Sequence, residues 1–160
     1  MTTTKSSASQ KTSPKEDAIR LLKADHKEVK GYFHDFEKAK DASEKQQLAN
    51  KICKALIVHT QIEEEIFYPA ARKEIEDGGL LDEAEVEHAS AKQLIAEIQR
   101  MKPSDRLFDA KVTVLGEYIT HHVEEEEKEI FPEVRDTNLD LKAMGQALAE
   151  RKNDLMAKGR

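Results

Sequence analysis

Four stretches of this chain place apolar residues at intervals of three and four, and each such stripe is interrupted once by a histidine. The first reads Ile19, Leu22, His26, Val29, Phe33, Phe36, and the second Leu48, Ile52, Leu56, His59, Glu63, Ile66. The third reads Leu81, Ala84, His88, Ala91, Ile95, Ile98, and the fourth Phe108, Val112, Leu115, Ile119, His122, Glu126, Ile130. A stripe of that period is one face of an amphipathic helix. Four of them joined by short breaks bury their stripes most simply against one another. The fold class expected is therefore all-α, an up-down-up-down four-helix bundle with an additional C-terminal helix.

Punctuation supports this division. Residues 1–13 are rich in Ser, Thr and Lys and read as a disordered tail. Ser13-Pro14-Lys15-Glu16 has the form of a helix start, with a capping serine, proline at the first position and a capping-box glutamate. Asp41-Ala42-Ser43 breaks the first stripe, and Ser43 with Gln46 offers a second capping box; Gly78-Gly79 is the clearest break of all. The third helix ends before Pro103, and Ser104 can cap the fourth. Pro69 and Pro132 fall late in their helices, where a kink or an ending is tolerable. The bundle is expected over 14–136. From about Asn138, Leu141, Met144, Leu148 and Leu155 mark a further helix, so 137–160 is expected to pack on the bundle.

Composition excludes several classes of function. With 36% charged and 5% aromatic residues, no tryptophan and only six glycines and four prolines, the chain suits helix rather than sheet. A formal charge of −6 and no basic stripe argue against nucleic acid or an anionic membrane as partner. Cys53 is the single cysteine, so no disulfide framework is possible and a reducing, cytoplasmic location is expected. The first fourteen residues lack the apolar core of a signal peptide. A monomer or weak homo-oligomer is expected.

The chain also repeats itself. HTQIEEEIFYP in the second helix matches HVEEEEKEIFP in the fourth, so that His59 aligns with His122 and Glu63 with Glu126. His59 follows His26 by 33 residues, and His122 follows His88 by 34. Residues four apart lie on one helix face, so each HxxxE pair aims both side chains at one spot. Counted from the two turns, His26 and His59 lie at matching depths, as do His88 and His122, to within about one helical turn. All four histidines can meet in one layer of the core.

Burying two carboxylates among leucines and isoleucines is costly unless a positive charge neutralises them. No lysine or arginine occupies the stripes near that layer, so a bound cation supplies the charge. Imidazoles with carboxylates suit iron, manganese or zinc rather than calcium or magnesium. Two glutamates on opposing helices can bridge two metals; with two histidines and a bridging solvent oxygen, each six-coordinate ion would keep one position open. The candidate metal ligands are His26, His59, Glu63, His88, His122 and Glu126. Two rival metal motifs do not fit. The Glu-x-x-His pattern of ferritin-like carboxylate proteins occurs once, at Glu85–His88, and the zinc-protease H-E-x-x-H motif is absent.

Other candidates are set aside. His34 and His121 are turned off the stripes. Only one residue of each glutamate run, 63–65 and 124–127, can face inward, and the rest read as solvated faces. Cys53 reads as a small core residue. Tyr118, one turn before His122, is either a further donor near the metals or a core tyrosine with its hydroxyl at the rim.

The pattern H…HxxxE…H…HxxxE over roughly residues 15–135, with both HxxxE…FP signatures, resembles the cation-binding branch of the hemerythrin-like family. The resemblance implies two non-haem, carboxylate-bridged iron ions in the bundle core. His26 and His59 would serve one and His88 and His122 the other, with Glu63 and Glu126 bridging. Oxygen-carrying hemerythrins have HxxxH on the third helix and HxxxxD on the fourth. Here Lys92 stands four after His88 and the second bridging carboxylate is a glutamate, which tells against reversible oxygen carriage. The function expected is a di-iron protein that binds or responds to dioxygen, nitric oxide or peroxide, or to iron. The alternative is catalase- or peroxidase-like turnover of hydrogen peroxide, and a bundle with adventitious metal is the third reading.

Overall fold

The computed structural model describes residues 17–76 and 78–158. The tail at 1–13 and the helix start at Ser13–Glu16 lie outside them. The first helix, α1 (Ala18–Lys38), is capped by Asp17, whose Oδ1 accepts from the backbone N–H of Ile19 and Arg20 at 2.8 and 3.2 Å. Helix α2 (Ala42–Ile62) is capped by Asp41 and not by Ser43. An N-cap needs extended backbone with a side chain that reaches back into the first turn. Asp41, at φ −87° and ψ 136°, has it and accepts from Glu44 N–H, whereas Ser43 is already inside the helix.

Beyond Ile62 the helix widens into a π turn at Glu63–Phe67 before continuing as α3 (Tyr68–Glu74). The same happens after α5 (Phe108–Glu125), where a second π turn at Glu126–Ile130 leads into α6 (Phe131–Arg135). In each, a backbone N–H reaches five residues back, Tyr68 to Glu63 and Phe131 to Glu126. Pro69 and Pro132 follow directly. In an unbroken α-helix their rings would press on the carbonyl four residues earlier; the wider turn relieves that contact, so neither proline ends its helix. Helix α4 (Gly79–Gln99) follows the glycine break. Ser104 does not cap α5. Turns at 102–108, with Asp105 accepting from Lys102 N–H at 2.8 Å, delay the helix to Phe108.

Helix α1 packs on α2, α2 on α4, α4 on α5, and α5 back on α1, while α7 (Leu141–Lys158) lies against α1, α2 and the first π turn. No strand occurs among the described residues. The core has two apolar halves. One gathers Ile19, Leu22, Ile62, Phe67, Leu81, Phe131 and Leu148, and the other Val29, Ile52, Leu56, Ile95, Phe108 and Leu115. Along every helix the stripe histidine falls between the two halves. The π turns also rephase the stripes beyond them. Phe67 replaces the half-buried Ile66 as a core residue, and Tyr68 and Phe131 turn inward.

Candidate metal centre

The six residues expected as ligands come together in one buried layer: His26, His59, His88 and His122 are 2–8% exposed, and Glu63 and Glu126 are fully buried. Each glutamate turns one oxygen to each histidine pair. Glu63 Oε2 lies 3.3 Å from His59 Nε2 and Oε1 3.1 Å from His88 Nε2. Glu126 Oε1 lies 3.0 Å from His26 Nε2 and Oε2 3.7 Å from His122 Nε2. Donor atoms of His26, His59, Glu63 and Glu126 form one tight group, and those of Glu63, His88 and His122 another.

Four of these atoms, His26 Nε2, His59 Nε2, Glu63 Oε2 and Glu126 Oε1, are buried without a hydrogen-bond partner. They approach one another closely but at angles wrong for hydrogen bonding. Such atoms cost about 1–3 kcal/mol each when left unpaired. Two imidazole nitrogens and two carboxylate oxygens converging on one point are the donor set of a transition-metal cation. The residues fit a metal on this ground alone.

What orients the imidazoles was not visible in the glutamate runs, which read as solvated. Every stripe histidine gives its Nδ1 to a carboxylate: His26 to Glu127 at 2.7 Å, His59 to Asp25 at 2.9 Å, His88 to Glu64 at 2.8 Å and His122 to Glu87 at 2.6 Å. An Nδ1–H donated outward leaves the Nε2 lone pair facing the centre. These partners obey the internal repeat. The acid just before the first histidine of each hairpin, Asp25 or Glu87, serves the second histidine of that hairpin. The acid just after each spanning glutamate, Glu64 or Glu127, serves the first histidine of the other hairpin. That doubled pattern was the signal available in the sequence.

Tyr68 is a further residue that periodicity missed. Its hydroxyl donates to Glu63 Oε1 at 3.1 Å and makes a short hydrogen bond to Glu126 Oε2. It also lies 3.4 Å from both His88 Nε2 and His122 Nε2. The matching position in the repeat is Phe131, whose ring stacks on His26 at 5.9 Å. Tyr118, by contrast, is 48% exposed at the rim of a cavity of about 20 Å³ bounded by all four histidines. His34 is exposed, and His121, 65% exposed, faces Glu87 and Glu125 rather than the core. Lys92, in the place of a further histidine, bonds Glu64 at 2.6 Å and so braces the partner of His88.

The ion-free layer balances its own charge. Burial opposes charge on His59, but Glu63 and Asp25 outweigh it and raise its pKa well above the ordinary 6.5. His26 and His88 are raised as well, against burial, chiefly by the carboxylates of Glu126 and Glu63 beside them. Burial would raise Glu63, yet His59 and His88 hold it well below the usual carboxylate range. Burial, then the two carboxylates, push the Tyr68 phenol up so that it stays protonated. Protons on imidazole do the work that a cation would do.

Residues 17–134 match the family model described as the hemerythrin HHE cation-binding domain. The chain belongs to that family. A solved relative of the HHE domain is similar in fold: a hemerythrin HHE cation-binding domain-containing protein from Mycobacterium kansasii. It superposes with a TM-score of 0.75 at 24% identity over 90% of this chain and 94% of its own. A curated relative, a DNA nickase from Nostoc sp. (strain PCC 7120 / SAG 25.82 / UTEX 2576), is 30% identical over 120 residues, 75% of this chain. The chain spans about a third (33%) of that relative's length. The family match ends before α7.

Proposed function

We propose that this HHE domain is an up-down-up-down bundle with an added C-terminal helix that holds two non-haem iron ions and binds or responds to a small ligand. His26 and His59 would hold one ion, His88 and His122 the other, with Glu63 and Glu126 bridging. The observation that carries this reading is the pair of fully buried glutamates, each dividing its oxygens between two histidine pairs. A single ion would need only one pair. Bound iron would supply Lewis acidity and a change of oxidation state.

The chain's own residues do the rest. The four outward Nδ1–H bonds fix the imidazoles before metal arrives, so little ordering remains to oppose binding. Leu56, Val29, Ala91 and Ile119 wall the cavity beside the histidines. The cavity is small, about 20 Å³, in keeping with a ligand of a few atoms such as dioxygen, nitric oxide or peroxide. The Tyr68 hydroxyl stands within reach of both spanning glutamates. The second reading, peroxide turnover, rests on the same site and as disproportionation needs no outside reductant, since one peroxide is reduced to water as another is oxidised to dioxygen.

The DNA nickase reading of the curated relative is not proposed for this chain, whose charge of −6 offers no phosphate track. A cytoplasmic location is proposed. It rests on the lone buried Cys53, and among the described residues no helix is long and apolar enough to cross a membrane. The test is elemental analysis of protein purified without chelator. About two irons per chain is the expected result, and one zinc or no metal after anaerobic iron loading overturns it. A peroxide-consumption assay on the loaded protein then separates binding from turnover.

A further inference from the structure

We propose that α7 is a working part of the metal centre: through Asp25, Lys152 fixes the tautomer and sets the donor strength of His59. The inference rests on the metal-site reading above and adds a residue outside the stretch matched by the family model.

The four carboxylates behind the histidines are not alike. Glu127, Glu64 and Glu87 keep 34, 32 and 27% of their side chains exposed, so water shares their charge. Asp25 keeps 7%. One imidazole N–H is poor compensation for a carboxylate in that position. Lys152 Nζ supplies the remainder, donating to Oδ1 at 2.6 Å while His59 Nδ1 takes Oδ2 at 2.9 Å. Both oxygens are committed, and Asp25 cannot rotate away from His59 without breaking the ion pair.

Lys152 is itself held in register from both sides. Arg151 makes two hydrogen bonds to Glu65 at 2.7 and 3.2 Å, and Lys54 Nζ donates to the Met156 carbonyl at 2.9 Å. Leu148, fully buried, pins the preceding turn. A carboxylate behind a ligating imidazole makes it a stronger donor. An ammonium on that same carboxylate keeps it charged in a buried place and locks its orientation. Lys152 is thus a positioning residue that acts on the metal position through two hydrogen bonds.

The chain contains its own control. Lys92–Glu64–His88 has the same connectivity, with Lys92 47% exposed. Water screens that pair, so its lysine is worth much less.

The test compares Lys152→Met, Lys152→Arg, Lys92→Met and Arg151→Met with the unaltered chain. In the ion-free protein, held at a pH alkaline enough for His59 to be neutral, long-range proton–nitrogen spectra report its tautomer. Expected is a single Nδ1–H form in the unaltered protein and a mixture in Lys152→Met. Competition with a chelator for Fe²⁺ should show Lys152→Met binding about 10- to 100-fold more weakly. Lys152→Arg should restore most of it, and Lys92→Met should change it little. Arg151→Met loosens α7 without touching Asp25, and the tautomer should stay single. A single tautomer with unaltered Fe²⁺ affinity in Lys152→Met overturns the proposal, as does an equal loss in Lys92→Met. Should the unaltered protein take up no iron, the di-iron reading falls, and the ion-free spectra still decide the relay.

Discussion

Glu63 and Tyr68 carry the sharpest consequences at the scale of single residues. Glu63→Gln keeps the volume but removes the charge that two histidines share, and it leaves an amide aimed at two imidazoles. Iron content is expected to fall from about two per chain to one or fewer, measured by elemental analysis, with the helical signal intact. Tyr68→Phe copies the repeat, which already places Phe131 at the equivalent position, so the fold should accept it. In the ion-free protein the substitution strips a hydroxyl from two buried carboxylates. That form is expected to lose about 1–3 kcal/mol, read as a lowered Tm in the presence of chelator. The six candidate ligands were legible in the sequence because each is a polar residue where the stripe demands an apolar one. Tyr68 was not, because a buried tyrosine beside phenylalanines breaks no pattern. Asp25 and Glu64 were hidden for the opposite reason: an acid next to a helix stripe is ordinary until its partner on another helix is known.

Among the elements, α4 followed its periodicity throughout, with Leu81, Ala84, His88, Ala91, Ile95 and Ile98 all buried. The second helix did so only as far as Glu63, whereas the fourth kept Ile130 in the core beyond Glu126 and turned Phe131 inward beside it. A constant period of 3.6 residues cannot anticipate a turn that holds one more, and that turn moved Phe67 inward in place of Ile66. The ends of helices were legible in part. Serine caps were expected at Ser43 and Ser104, but Asp41 caps α2 and no side chain caps α5, while Asp17 caps α1, because capping depends on where the chain turns and not on motif alone. Two substitutions separate these readings. Asp41→Ala should cost about 1 kcal/mol, whereas Ser43→Ala should stay within about 0.5 kcal/mol. Paired thermal melts check both, and neither should alter iron content.

For the molecule as a whole, the buried layer couples stability to pH. His26, His59 and His88 have raised pKa values, so their contribution is complete below 6.5 and fades as pH climbs through the raised values. Glu63 is depressed, so its contribution is present above 4.5 and fades as pH falls through the lowered value. Chelator-treated protein should therefore be most stable in mild acid and lose Tm as the buffer is made alkaline. Loaded protein should show the reverse trend in its advantage, since metal ligation displaces those protons. A series of melts from pH 5.5 to about 9, with and without metal, measures the gap; a gap that does not widen would count against the charge balance described. The repeat that built this layer was not copied without change. One half meets a phenol, the other a hydrocarbon ring stacked on His26. Two ions held there would sit in unlike surroundings, one beside an exchangeable proton and one against a dry wall. An odd electron shared between them would settle on one side, so a half-reduced centre should give two distinct iron signals in Mössbauer spectra rather than one average.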